Sequence, residues 1–347
     1  MLVIHIGFAK TGTTSLQDLL ALNAERLAAS GLYYPSAARQ GGAHHRLAER
    51  QPDGRFHLGD WTAVLALARS QPAVVVSSER LSGLSEAALW ALRDAMDGVP
   101  VRVVASLRRY PEWQVSRYTQ TSKSGRNGLD FDAYFEAELD AFADRVIGEL
   151  QGWSKTWGAG NLVVSDRTGE ALAIEIAGLA GVDIGHLEPL ATRSNVDPGW
   201  RAVEVLRAIF TRAASGPIAP TSPAIEAPLN TRFRDAVIRA LADEGLTEAR
   251  GAYLTEDQIA EGDARMARIE AALEGWTRAP VGVGRTPSSV ARREFRPGIE
   301  VIPVHCRARI LPVLRRVLAD GRDIYPEALS EAVEAVFLSP DPAGVEA

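Results

Sequence analysis

Two kinds of apolar run alternate along the first half of the chain. Short runs rich in β-branched residues, "LVIHI" at residues 2–6, "AVVVSSE" at 73–79, "VRVVASLR" at 101–108 and "NLVVSD" at 161–166, read as buried strands. Between them apolar residues recur at helical spacing. Ser15 to about Ser30 puts Leu16, Leu19, Leu20 and Leu27 on one face, and helices are predicted over Glu86–Met96, over Phe131–Trp157 with a possible break, and over Gly169–Leu179. Strands that alternate with helices predict a parallel sheet covered on both faces, an α/β three-layer fold of the P-loop type.

After about residue 195 the strand pattern fades. "WRAVEVLRAIFTRA" and "TRFRDAVIRALADEG" read as amphipathic helices flanking "SGPIAPTSPAIEAPLN", whose four prolines predict irregular structure, either a connector or a loop over the site. The expected organisation is therefore an α/β core over 1–200 and a mainly helical extension over 201–347. The extension is expected to pack on the core and to contribute to the acceptor site.

Ligands of such folds lie at the carboxyl ends of the strands. "GFAKTGTT", "SSER" and "RRYPEWQVS" all begin there, so three polar segments distant in sequence should converge. Gly7 and Gly12 have the G-x-x-x-x-G spacing of a phosphate loop, but Thr13 and Thr14 stand where Lys and Ser/Thr hold the phosphates and Mg²⁺ of an ATP site. The nearby cation is Lys10, ahead of the second glycine. That placement suits an anion about two tetrahedral groups long, with Lys10 at the bridging oxygen and hydroxyls from Thr11, Thr13, Thr14 and Ser15 beside the backbone amides of the turn that includes Gly12. No metal ligand set is expected, and the pair His44–His45 lacks a third ligand at suitable spacing.

"KTGTTSLQ" resembles the 5′-phosphosulfate loop of sulfotransferases that use 3′-phosphoadenosine-5′-phosphosulfate (PAPS), in particular the heparan sulfate type and its bacterial relatives. The resemblance is firm over roughly residues 1 to 125, extends more loosely to about 200 and is absent beyond. It implies sulfuryl transfer from PAPS to a hydroxyl or amine of a carbohydrate, lipid or small-metabolite acceptor, releasing adenosine 3′,5′-bisphosphate (PAP).

Val101–Arg126 carries six Lys/Arg and one acid in a chain of net charge −6, which marks a local anion site. In the family an Arg at the end of this strand and a Ser eight residues later hold the 3′-phosphate; Arg108 and Ser116 have that spacing, and Tyr118 falls on the family tyrosine. The segment departs from the family pattern where Arg109 replaces an acid and Pro111 lies one place late. Arg109 therefore stays open as the ligand with register shifted by one. "YTQTSK" is similar to the heparan sulfate 3-O-sulfotransferases.

For the base, Glu79 stands at a strand end, and Glu79-Arg80 with Ser82 behind resembles the catalytic Glu-Lys pair of the family by order and context. Its rival is the doublet His44–His45, since an imidazole suits proton transfer near neutral pH. His5 reads as a strand residue, and His305 lies in a stretch the pattern does not place. Arg193 and Asn195 are further donor-site candidates, because related bacterial proteins carry an Arg and an Asn here.

The remaining composition narrows the partners. An acidic balance argues against a general nucleic-acid or anionic-membrane binder. A single cysteine, Cys306, excludes an internal disulfide framework and favours the cytoplasm. Neither a signal peptide nor an apolar run of the roughly 20 residues that span a bilayer is expected. Arg285–Arg316 holds eight arginines and no lysine, which suits either an anionic acceptor or an ordinary basic helix face. Two other classes stay open: a P-loop kinase or NTPase, and a nucleotide-binding module without catalysis.

Overall fold

A computed structural model of the chain describes residues 1–51, 56–191, 199–214, 223–246, 253–277, 302–321, 325 and 327–338, with backbone alone at 214 and 223–230. The fold is α/β. Strands β1 (Leu2–His5), β2 (Leu32–Tyr33), β3 (Ala73–Ser77), β4 (Val101–Ser106) and β5 (Leu162–Ser165) form one parallel sheet in the order β2-β3-β1-β4-β5. His5 pairs in register with Ser77 on β3 and with Val104 on β4, so β1 is central. The chain winds to one side of β1 through β2 and β3 and then to the other through β4 and β5. The carboxyl end of β1 is thereby the switch point where such sheets bind ligands.

Every residue of β1 and β3 is buried, as expected of a sheet covered on both faces. On one face Val3, Val75 and Val104 pack with Leu16 and Leu20 of α1 (Thr13–Leu22) and with Leu172 and Ile176 of α7 (Gly169–Leu179). Fully burying each such side chain stabilises the fold by roughly 2 kcal/mol, more than helix propensity supplies.

The predicted elements recur with several differences in this region. The helix expected over Ser15–Ser30 is broken at Asn23 into α1 and α2 (Ala24–Ala29). Buried Asn23 caps the first and holds the break: its Nδ2 donates to Leu19 O at 2.9 Å and to Glu188 O at 3.0 Å, and its Oδ1 accepts from Glu188 N at 2.8 Å. Strand β2 was not predicted, because two residues carry no period. The remaining helices of this half are α3 (Gly59–Ser70), α4 (Glu86–Ala95), α5 (Tyr110–Lys123) and α6 (Phe131–Trp157), the last unbroken.

The chain forms two compact units with interleaved boundaries. The first comprises Met1–Trp113, Leu139–Asn195 and Ala260–Thr286; the second comprises Gln114–Glu138, Val196–Ile259 and Pro287–Ala347. Residues 114–138 belong with the helices of the second unit, and α10 (Glu256–Ala272) lies largely in the first.

The second unit is helical, with α8 (Trp200–Ala214), α9 (Pro223–Asp243), α11 (Val304–Asp320) and α12 (Glu327–Leu338) around a core that includes Leu206, Phe233, Leu314 and Val333. Part of the proline-rich segment is helical after all. Helix α9 begins at Pro223, where the missing N–H is one that a first turn cannot use. Among the described residues no helix is long and apolar enough to cross a membrane.

Candidate functional site

The loop after β1 is shaped by what a side chain would strike. A Cβ on Gly7 would lie 2.5 Å from Thr13 Cγ2 and 2.7 Å from His5 Nε2, so only glycine fits. Gly12 takes the left-handed conformation at φ 86° and precedes α1, whose first turn has no side-chain cap. The first amides of a helix have no intrahelical acceptor, which leaves them for an anion. Thr14 and Ser15 are exposed at this end, whereas Thr13 is buried. The position that carries the lysine of an ATP loop thus holds a threonine packed inward against Gly7. Lys10 is half-buried, itself left-handed at φ 72°. Buried Thr11 spends its hydroxyl inside the loop, donating to Phe8 O at 2.7 Å.

Under the loop lies a hydrogen-bonded floor. His5, buried on β1, meets Ser77 Oγ of β3 at 2.7 Å through Nδ1 and Ser106 Oγ of β4 at 2.8 Å through Nε2. Burial pushes its pKa down to about 3, so the ring is neutral and structural.

Glu79 follows β3 and opens a short 3-10 turn (Glu79–Leu81) whose N-terminus Ser78 caps. Gln17 of α1, buried, donates through Nε2 to Glu79 Oε2 at 3.1 Å and to Ser77 Oγ at 3.2 Å. The other carboxylate oxygen faces His45 Nε2 at 3.7 Å, and His45 Nδ1 lies 2.9 Å from Ser78 Oγ. The carboxylate thus accepts a hydrogen bond from Gln17 of the loop helix on one side and has His45 of the doublet beside it on the other, with about a quarter of its side chain exposed.

The two histidines have opposite fates. His44 is fully buried; its Nε2 lies 2.9 Å from Pro35 O and can only donate to it, while its Nδ1 accepts from Ser77 N at 3.3 Å. Both nitrogens are spent on the main chain, which leaves His44 no lone pair for a substrate proton. Burial lowers its pKa to about 4. His45 is part-exposed beside Glu79; burial lowers its pKa, the Glu79 charge opposes this, and Arg80 adds to the lowering.

Arginines 108 and 109 also separate. Arg109 is committed to Asp263 of α10 by a bidentate pair, Nε to Oδ1 at 3.0 Å and Nη2 to Oδ2 at 2.5 Å, with a tenth of its side chain exposed. Arg108 stays a third exposed, reaches the loop at Lys10 O (3.5 Å) and faces Glu112 at 3.6 Å. Ser116 is half-buried on α5, in the part of that helix assigned to the second unit.

Arg193 and Asn195 lie outside the described residues, as do Arg285, Arg292, Arg293 and Arg296. Of the other arginines of that stretch, Arg307 is buried and donates to Ile302 O, Arg309 pairs with Glu244, and Arg315 pairs with Glu334. These three serve the helical unit's own packing. His305 falls in the first turn of α11.

Two contributors were missed by sequence reasoning. Gln17 could have been suspected as a polar residue inside the apolar face of Leu16, Leu19 and Leu20. Trp113, whose Nε1 donates to Ala9 O at 2.7 Å, reads in sequence only as a large apolar residue.

No family model matches the chain, and no curated protein does. A crystal structure of a sulfotransferase from Alicyclobacillus acidocaldarius is similar at 13% sequence identity with a TM-score of 0.38, over 56% of this chain and 86% of that one.

Proposed function

We propose that this chain is a PAPS-dependent sulfotransferase. The observation that carries the reading is the loop's arrangement of charge: an inward-packed Thr13 at the ATP-lysine position and a cation, Lys10, upstream of left-handed Gly12. Such a loop favours a short anion over a triphosphate with Mg²⁺. Gly12, Thr14, Ser15 and the first amides of α1 are available for a 5′-phosphosulfate, while Thr11 and Thr13 contribute through the backbone. Arg108 is the better 3′-phosphate ligand, because its side chain is a third exposed whereas Arg109 is a tenth exposed in its bidentate pair with Asp263, and Ser116 is assigned to the same phosphate on the family spacing.

PAPS supplies the sulfuryl group and a leaving group that departs as PAP. Glu79 takes the proton of the acceptor hydroxyl or amine as the new bond to sulfur forms. The electron pair of the broken S–O bond passes to the 5′-phosphate oxygen, whose growing charge Lys10 meets. Gln17 and His45 hold the Glu79 carboxylate for this task, with His45 beside the base rather than in its place. The acceptor class remains carbohydrate, lipid or small metabolite, and the cytoplasm the expected location.

Calorimetric titration with PAP in EDTA tests the donor. Metal-free binding, together with transfer of radiolabelled sulfate from PAPS to an acceptor in a broad panel, is expected. Binding of ATP that requires Mg²⁺, with no affinity for PAP, would sink the proposal. PAP binding with no transfer to any acceptor would leave a nucleotide-binding module instead of an enzyme.

A further inference from the structure

Three consecutive carbonyl oxygens of the loop are held by side chains. Thr11 Oγ1 donates to Phe8 O at 2.7 Å, Trp113 Nε1 donates to Ala9 O at 2.7 Å, and Arg108 Nη1 reaches Lys10 O at 3.5 Å. In a planar trans peptide the carbonyl of one residue and the amide of the next point in opposite directions. Fixing the carbonyls of Phe8, Ala9 and Lys10 therefore fixes the amides of Ala9, Lys10 and Thr11 on the opposite side of those planes. Successive amides on one side of a turn that has left-handed Lys10 and Gly12 are the arrangement in which backbone binds anions. A left-handed lysine costs energy and persists only where its surroundings dictate it.

The three donors differ in permanence. Arg108 is exposed enough to turn to a ligand phosphate, and its contact with Lys10 O is long. Thr11 belongs to the loop and moves with it. Trp113 does neither. It is fully buried on the first turn of α5, edge-on to Phe8 at 5.4 Å and to Phe142 of α6 at 4.6 Å. Its indole N–H is the anchor that comes from outside the loop and that no ligand can recruit.

We propose that Trp113 is the positioning residue of the anion loop: by holding Ala9 O from a fixed core site, it keeps the loop in its anion-receptive form before ligand arrives. The inference rests on reading this loop as the 5′ site of the donor. It assigns the energetic cost of preorganisation to one hydrogen bond, whose loss a core substitution can isolate.

The test is metal-free calorimetry on the full chain and on Trp113→Phe, each titrated with PAP and with adenosine 3′-monophosphate. PAP has a 5′-phosphate for the loop and the monophosphate has none. Trp113→Phe should bind PAP roughly tenfold more weakly and the monophosphate as the unaltered chain does, since a hydrogen bond to a part-buried group is worth about that factor. Unchanged PAP affinity, or equal loss for both nucleotides, would overturn the role. If Trp113→Phe does not fold, 3-(3-benzothienyl)alanine at position 113 keeps the shape and deletes the N–H, and the same outcomes decide. An unaltered chain that binds no PAP would instead overturn the donor reading on which this role stands.

Discussion

At His5 a buried imidazole is satisfied by two serine hydroxyls, and at His44 by a carbonyl and an amide; in both places the neutral ring is what the surroundings accept. Burial pushes their pKa values down to about 3 and about 4, below the 6.5 of a free imidazole. Between those values the unfolded chain binds protons that the folded chain refuses, so stability is complete above pH 6.5 and falls as pH drops toward 4. Each ring contributes about 1.4 kcal/mol per pH unit, so together they should remove roughly 3 kcal/mol per unit. Urea melts at pH 7 and pH 5.5 measure this, and His5→Asn should flatten the acid slope by about half; an unaltered slope would show that His5 does not titrate on unfolding. Glu79 calls for a different readout. Glu79→Gln keeps the size of the side chain and removes its basicity, so PAP affinity should hold within about threefold while transfer falls by a hundredfold or more. Retained transfer would hand the proton to His45. The doublet shows why sequence could not rank its candidates: adjacent residues of one type differ here only in burial, which a spacing pattern does not encode.

Where β4 leads into α5, two adjacent arginines differ in exposure, Arg108 a third exposed and Arg109 a tenth. The strand run ending at Arg108 and the helical run after it were both legible, yet their meeting left the register open by one residue. What resolves it is α10, an element about 150 positions later in the chain, whose Asp263 takes Arg109. Arg109→Ala should therefore cost about 1–3 kcal/mol of stability and leave PAP affinity nearly intact. Arg108→Ala should leave the melting temperature in place and weaken PAP by ten- to a hundredfold, the worth of a charge-assisted hydrogen bond. The reverse pattern would shift the phosphate ligand to Arg109. The same limit on local reading explains the split of the first helix. Apolar spacing runs through Asn23 without interruption, and the break depends on a partner, Glu188, from another segment. Long periodic elements such as α6 and α7 were legible because their own sequence carries the period; two-residue β2 has none.

At the scale of the molecule, alternating strands and helices made the α/β class readable, while the division into units was not. A boundary near residue 200 follows from composition, where strands end. The packing follows contacts instead, and these return Ala260–Thr286 to the first unit. Within that unit Asp263 holds Arg109, Pro111 packs against Gly262 so closely that a Cβ there would lie 2.7 Å from its ring, Gln151 donates to Ala272 O at 3.3 Å, and Ser154 to Trp276 O at 2.6 Å. A chain ended at residue 200 loses all of these partners at once. It leaves Arg109 without its bidentate partner Asp263, with Glu112 at 4.0 Å as the remaining acid, and paired groups of this kind cost more to strand than the intact pair contributes. It also strips the covering from the first turn of α5, which carries Trp113 to the loop and follows directly on Arg108 and Arg109. Residues 1–200 alone should therefore fail to show a cooperative melt by circular dichroism, whereas adding residues 260–286 through a flexible linker should restore one if these contacts are what the unit lacks. A cooperative transition from 1–200 alone would mean that the later segment decorates a core already complete.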